Sequence, residues 1–452
     1  MKIITKTFKN LDEIKAHLRT HLPTIYLGSR TSTVIPFDRL ESALACEGLD
    51  ELYIGDLSVL PKNQEITDDG YLKFSGPVTW LDAKQFCLSK GRDILTSPTE
   101  ELAAGLSGIA TSCTGERCFG YGTLREQVKR VRYLDFGGNE HDIFSNDLLE
   151  NDNLFKENVD KLKNYQSDYL KYINFKNAPY PRMSSRSDLM IGTEGQLGVV
   201  IEAEIKTVSH EEISYIFILL PKWEENFDSH LELFKAVQNH RDKIYSCELL
   251  DDNSLNVLPK EDRPGKSGED LIFLEIKSKD FEFVFEEVLS NIDSIDLDKI
   301  YEISQGKCHD LRMSVPRATF EENSKAGVVK KGTDVQVSPK YFPALIDFYR
   351  NCTKGEVKYN LFGHFGDAHL HFNFLPTQDQ INICDDYLEN LYKEVETWEG
   401  SPFAEHGIGV IKKKFINKYY GPHQYELFKF LKEKMDPYNQ FFPMGFMGMK
   451  NL

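Results

Sequence analysis

No stretch of about 18 consecutive apolar residues occurs in this sequence, so no membrane-spanning helix is expected. The opening Met1-Lys2-Ile3-Ile4-Thr5-Lys6 lacks the apolar core of a secretory signal, which makes the cytoplasm the expected location. Basic runs are missing too: 54 Lys and Arg against 71 Asp and Glu leave a formal charge of −17, which argues against nucleic acid as a partner. Cys46, Cys87, Cys113, Cys118, Cys247, Cys308, Cys352 and Cys384 contain no CxxC pair, which excludes a disulfide framework and an iron–sulfur cluster as expectations. Internal repeats and low-complexity tracts are absent. What is there is ordinary globular material: 452 residues, 40% hydrophobic and 28% charged. At roughly 100–200 residues per domain this predicts two or three domains able to bury a sizeable core.

Spacing of apolar residues predicts a helix over 11–20, a strand over 24–27, further strands near 72–74 and 131–136, and a helix over 80–90. Residues 141–186 are rich in Asn, Asp, Lys and Tyr without a sheet pattern and read as an insertion, partly helical. From 211 onward, strand-like segments (213–220, 271–276) alternate with helical ones (229–241, 281–291), and 387–436 is mainly helical. The fold class is therefore α+β, with an antiparallel sheet in the second half.

Three small-residue turns carry the first chemical reading. Gly28-Ser29-Arg30-Thr31-Ser32-Thr33 follows a strand, and its backbone N–H groups and hydroxyls suit a pyrophosphate, the alternative being an ordinary polar loop. The run from Gly105 to Gly122 is too long and too rich in small residues for a simple turn, so something flat or extended is expected against its backbone. Gly192-Thr193-Glu194-Gly195-Gln196-Leu197-Gly198 imitates a nicotinamide-dinucleotide fingerprint. That reading fails because residues 199–205 continue as a strand, whereas the fingerprint opens a helix.

The segment from Leu361 to Phe374 is the most telling. After a Gly-Asp turn, His369, His371 and Asn373 alternate with Leu370, Phe372 and Phe374, so a strand would place the polar groups on one face. Imidazoles suit divalent transition metals, with a carboxylate as a usual further ligand. The alternative is the polar outer face of a half-exposed strand. Glu405-His406, between Phe403-Ala404 and Gly407-Ile408-Gly409, adds a carboxylate and a further imidazole beside glycines.

Together these segments resemble the flavin-linked oxidases with a PCMH-type FAD-binding domain (the vanillyl-alcohol-oxidase superfold), specifically their D-2-hydroxyacid dehydrogenase branch, which includes D-lactate dehydrogenases and glycolate oxidase flavoprotein subunits. The second turn follows the family's spacing through Gly115, Arg117, Tyr121, Gly122 and Val128. Asp188 to Val199 is similar to its DLxxGSEGxLGV signature, and the histidine segments to its HxGDGNxH and GEHGIG motifs. The resemblance implies a PCMH-type FAD domain over 1–210, a substrate or cap domain over 211–395 and a helical segment over 396–452 returning to the FAD domain. It implies that Gly28, Ser29, Arg30, Thr31 and Ser32 hold the FAD pyrophosphate, and that Pro98, Ser107, Gly108, Ala110, Thr111, Gly115 and Gly195 border the cofactor, with Val200 meeting the flavin by its backbone. It further implies a divalent metal, Zn or Mn, on His364, His371 and Glu405, His406 as base and Asn373 on the substrate. Arg312, by its spacing to Pro316, would clamp the substrate carboxylate, with Lys331 a second candidate.

The chain departs from the family at Arg30 and Ala368, where it has Gly, at His369, where it has Asn, at Ser107-Gly108, and at Phe442, where Asn often precedes Pro. The implied activity is FAD-dependent oxidation of a D-2-hydroxyacid, such as D-lactate or D-2-hydroxyglutarate, to the 2-oxoacid. Electrons would leave to a quinone, an electron-transfer protein or O₂, which admits peripheral contact with the inner face of a membrane. Two other readings stay open: a flavin oxidase passing electrons from another alcohol to O₂, and a binding protein that kept the fold and lost the cofactor.

Overall fold

The computed structural model describes residues 2–32, 34–35, 40, 49–96, 98–266, 268–328, 331–355 and 357–448, so Thr33 and Cys46 lie outside the described residues. The chain divides into two compact units, Met1–Thr114 with Thr123–His210 and Glu405–Leu452, and Gly115–Gly122 with Glu211–Ala404. The division differs from the expected one in two places. The later boundary falls after 404 instead of 395, because Gln336 and Ser401 exchange backbone hydrogen bonds at 2.9 and 2.8 Å and the Ala404 amide donates to the Asp334 carbonyl at 2.8 Å. Residues 115–122 leave the first unit because Arg117 donates twice to Glu275, at 2.9 and 2.5 Å. Gly120 also lies so close to Ile244 that a Cβ would stand 2.6 Å from its carbonyl oxygen.

In the first unit, the strands Lys2–Thr7, Glu51–Asp56 and Thr24–Leu27 form a three-stranded parallel sheet in that order. The helix Leu11–Leu18 begins at Asn10, whose side chain accepts from the Glu13 amide at 3.0 Å, and turns Ile14 and Leu18 into the core with Phe8, Leu134, Val199 and Phe441. The C-terminal chain joins the same sheet: Thr24 donates to Gln440 O at 2.7 Å and Phe442 to Thr24 O at 2.9 Å. A second, six-stranded sheet runs Asn63–Ile66, Tyr71–Ser75, Val199–Ser209, Val128–Leu134, Glu140–Phe144, with Arg92–Ile94 on the far end of Val199–Ser209.

The strand Glu140–Phe144 corrects the expectation of no sheet beyond 141. It pairs with Val128–Leu134 in an antiparallel ladder whose side-chain contacts are ionic, Arg130 and Arg132 on Asp142, so the usual apolar alternation is missing. The rest of the insertion has a packing purpose. Helix Val159–Tyr169 buries Leu162, Tyr165 and Tyr169, and Tyr165 meets Phe428 of helix Pro422–Met435 edge to face at 5.8 Å.

The second unit is built on a seven-stranded antiparallel sheet in the order Ile300–Ile303, Ile213–Pro221, Glu269–Lys277, Ile244–Leu250, Lys358–His364, His369–Leu375, Lys331–Gly332. Strands buried on both faces read as nearly continuous apolar runs, as in Ile216-Phe217-Ile218-Leu219-Leu220. Helix Gln305–Lys325 covers one face, setting Cys308, Leu311 and Val315 on Phe217, Leu250, Phe273 and Phe362. Helices Asp228–Gln238 and Phe342–Thr353 supply Phe234 and Phe342, which pack together with Phe365. Among the described residues no helix is long and apolar enough to cross a membrane.

One buried ion cluster fixes the entry to the third small-residue turn. Asp188 is wholly buried; it meets Arg125 at 3.0 Å and Arg182 at 3.4 Å and accepts the Ser184 and Ser185 amides at 2.8 and 3.0 Å. Burial pushes its carboxyl up, but Arg125, Arg182 and the two amides outweigh burial and hold it below the ordinary carboxylate range. Its stabilisation is therefore complete at neutral pH and is withdrawn as pH falls through that range. Asp188→Asn leaves Arg125 buried without its counter-charge and is expected to cost about 3–5 kcal/mol in urea unfolding. A loss below about 1 kcal/mol would remove the cluster from the account of stability.

Candidate functional site

In the first unit the small-residue turns close on one another. Gly28 abuts the second turn so tightly that a Cβ would lie 2.7 Å from both Ala104 Cβ and Ser107 Oγ. The second turn is not an open loop as expected: Gly105–Thr111 is a short helix, ended by Ser112 at φ 52°, and Gly108 lies against Trp80 and Cys113. The third turn joins it where the Glu194 amide donates to Ala110 O at 2.8 Å. Gly28, Ser29, Arg30, Thr31, Ser32, Ser107, Gly108, Ala110, Thr111 and Gly195 all belong to this unit, as do buried Pro98 and Val200. Gly115, grouped with the cofactor loops on sequence, instead opens the excursion to the second unit.

The circle is completed by the segment that carries His406. Glu194, whose carboxyl is pushed up by burial although two amides and Lys412 oppose this, accepts from Ile408 N at 2.6 Å and Gly409 N at 3.0 Å. Gly407 passes so close that a Cβ would stand 2.7 Å from Glu194 Oε1, and at φ 75° it adopts a backbone that glycine takes without strain. Val410 N then donates to Val34 O at 3.0 Å, returning to the first turn.

Three departures from the family acquire a common explanation. Arg30, Ala368 and Phe442 stand at φ 58°, 50° and 41°, in the left-handed region that Gly and Asn tolerate best. Arg30 is held there by Asp56, at 3.3 Å.

In the second unit the strand pair Lys358–His364 and His369–Leu375 is in a register that sets His364 opposite His369, Phe362 opposite His371 and Asn360 opposite Asn373. Side chains opposite one another share a face, so the imidazoles form a patch and not a line along one strand. They are buried: His369 and Asn373 are 0% and His371 6% exposed, which dismisses the half-exposed alternative. Ring centroids are 5.2 Å apart for His364 and His369 and 4.7 Å for His369 and His371, and ring nitrogens of all three lie within 4.8 Å of one another.

In each ring one nitrogen is set on an acceptor. His364 Nδ1 donates to Glu248 Oε1 at 2.9 Å, His369 Nε2 to Asp334 Oδ1 at 3.2 Å and His371 Nδ1 to Thr333 O at 3.2 Å. This fixes the tautomers and turns each remaining lone pair to a defined side, the arrangement that metal-binding imidazoles require. The donor set fits a divalent transition ion. Gly363 makes room, since a Cβ there would lie 2.9 Å from His371 Cδ2.

The two cationic candidates part company. Arg312 lies on the helix covering the imidazole face, next to Leu311, with its guanidinium paired to Glu116. Lys331 is opposite Phe374, one residue out of phase with Asn373, and its ammonium binds Asp385 at 2.6 Å. It therefore lies on the face opposite the imidazoles, and the carboxylate-binding role expected for it is withdrawn. Sequence reasoning missed Glu248, Asp334, Glu194 and Glu116, and placed His369 on the imidazole face without including it in the implied ligand set. Only Glu194 had a local signal, its place in the DLxxGSEG-like motif.

Comparisons with known proteins agree with this architecture. Residues 224–444 match the family described as FAD linked oxidases, C-terminal domain. A mitochondrial D-lactate dehydrogenase [cytochrome] of Kluyveromyces lactis is 23% identical over 80% of this chain and 59% of its own length. D-2-hydroxyglutarate dehydrogenases of Xanthomonas citri pv. viticola and Stutzerimonas stutzeri are 24% and 25% identical, over 73% and 80% of this chain and 65% and 73% of their own. The chain thus spans about three fifths of the length of the yeast relative. A solved structure of alkyldihydroxyacetonephosphate synthase superposes with a TM-score of 0.64 over 97% of this chain and 75% of its own at 11% identity, a likeness of fold. Residues 224–444, just under half of the chain, thus carry the match to the C-terminal domain of FAD linked oxidases, and the relatives named above are dehydrogenases of D-lactate and of D-2-hydroxyglutarate.

Proposed function

We propose that this protein oxidises a D-2-hydroxyacid, of the D-lactate or D-2-hydroxyglutarate type, to the 2-oxoacid. The observation that carries the proposal is the buried patch of three imidazoles, each oriented by its own acceptor, within the segment that matches the FAD-linked oxidase C-terminal domain. When bound, FAD supplies a hydride acceptor at N5 and a divalent ion, Zn or Mn, supplies a Lewis acid that lowers the pKa of the substrate hydroxyl.

The chain's own residues do the rest. The three mutually packed turns, with Val200 at the head of its strand, hold the dinucleotide through backbone N–H groups and hydroxyls. His364 and His371 bind the ion, with Glu405 the carboxylate and His369 in the place of the family's asparagine. Covalent connection favours Glu405: it follows Ala404, whose amide is bonded to Asp334, the residue that orients His369. His406 takes the hydroxyl proton, and Glu194, by gripping the two amides after Gly407, limits where that imidazole can stand. Arg312 binds the carboxylate, and Asn373 offers the substrate a buried carboxamide oxygen that has no hydrogen-bond partner among the described residues. The electron acceptor is a quinone, an electron-transfer protein or O₂. Dye reduction without peroxide marks a dehydrogenase, and stoichiometric peroxide an oxidase.

Three experiments bear on this reading. His406→Ala is expected to keep its flavin and to lose at least about 100-fold in the rate of flavin reduction by D-hydroxyacids, followed anaerobically by absorbance; reduction at the full rate would remove His406 as the base. Chelation is expected to abolish turnover while the yellow colour remains, and turnover that survives in protein shown metal-free by elemental analysis would dispose of the metal. Glu194→Gln replaces one acceptor with a donor, so exchange of the Ile408 and Gly409 amides should accelerate by about tenfold or more while the strand Val128–Leu134 is unaffected. Unchanged exchange at both amides would mean that the grip is not what holds the segment.

A further inference from the structure

Helix Gln305–Lys325 faces the sheet with Cys308, Leu311 and Val315, which leaves Arg312 at the margin of that contact. Its side chain is 12% exposed and is paired with Glu116, itself 3% exposed. The residue after Glu116, Arg117, is paired with Glu275 in the same manner, at exposures of 6% and 3%, and Ser246 Oγ donates to the other Glu275 oxygen at 3.4 Å. Glu248 adds a further carboxylate on His364. On this side of the second unit, then, each guanidinium is matched by a carboxylate, Arg117 by Glu275 and Arg312 by Glu116.

That balance has a consequence for recognition. A guanidinium offers five N–H donors in a fixed fork, so Arg312 can keep Glu116 and still accept one carboxylate. A second carboxylate on the same molecule finds its field already cancelled and meets the charge of Glu116 instead. We propose that Glu116 determines specificity: it positions the Arg312 guanidinium and, through its charge, favours hydroxyacids with a single carboxylate over dicarboxylates. The proposal rests on the assignment of Arg312 to the substrate carboxylate made above. It places D-lactate-like molecules ahead of D-2-hydroxyglutarate-like ones.

The test uses the full-length, flavin-loaded protein and the isosteric variant Glu116→Gln, with Glu116→Asp as the charge-preserving control. Anaerobic flavin reduction by D-lactate and by D-2-hydroxyglutarate gives kcat/KM for each. Removing the charge is expected to raise the ratio for D-2-hydroxyglutarate over D-lactate by about tenfold, while Glu116→Asp keeps the wild-type ratio. A ratio unmoved in Glu116→Gln, or moved equally by Glu116→Asp, overturns the proposal, the second because it would reflect position alone. Binding of butyrate and glutarate, read from the flavin spectrum without turnover, repeats the comparison independently of activity. There Glu116→Gln should tighten glutarate about tenfold relative to butyrate, and equal effects on both overturn the proposal. If the wild-type flavin is reduced by no D-hydroxyacid, the oxidation reading fails, and the glutarate-to-butyrate comparison still decides the role of Glu116.

Discussion

The turn between the strands Lys358–His364 and His369–Leu375 governs this molecule. Ala368 closes it in the left-handed region, and the resulting register decides which side chains share a face. A slip of one residue would send His369, His371 and Asn373 to the other side of the sheet and bring Leu370 and Phe372 in their place. Glu248 and Asp334 would then be buried carboxylates without their imidazoles, so the penalty would fall on three strands at once. The register is thus held by polar groups as much as by apolar ones.

That arrangement also shows how a protein interior accommodates so many ionisable groups. The imidazole patch sits at one end of a face whose remainder is Phe217, Leu250, Phe273 and Phe362 under a helix. Apolar packing fixes the backbone, and each polar group then has a partner supplied from a distant segment of the chain: Glu248 for His364, Asp334 for His369, Glu275 for Arg117, Glu116 for Arg312. Partners on separate elements restrain both, and a site assembled this way needs little reorganisation to receive a ligand.

Much of the architecture was legible because it follows from period and composition. Alternation across His369–Phe374 identified a strand with three polar groups on one face, and small residues marked the turns that prove to pack together. The partners were hidden for a physical reason: Glu248, Asp334 and Glu116 lie far along the chain from the groups they serve, and a lone carboxylate carries no periodic signature. Lys331 misled because its strand is only two residues long, too short for alternation to reveal which way its side chain points. Glu140–Phe144 escaped because its cross-strand side-chain contacts are ion pairs and not an apolar alternation. The excursion of Gly115–Gly122 escaped because its anchor, Arg117 on Glu275, joins residues 158 apart.

The first unit is discontinuous: Thr24–Leu27, paired along one side with Glu51–Asp56, is met at Thr24 by the chain around Phe441. During synthesis, the whole of Glu211–Ala404 emerges before the grip of Glu194 on Ile408 and Gly409 can form. The ribosome therefore presents a sheet-and-helix unit able to mature early while the segments made before it must wait, their apolar edge unfinished, for the stretch that follows Ala404. A helper that shields this waiting surface has its window of action for as long as Glu211–Ala404 is being made.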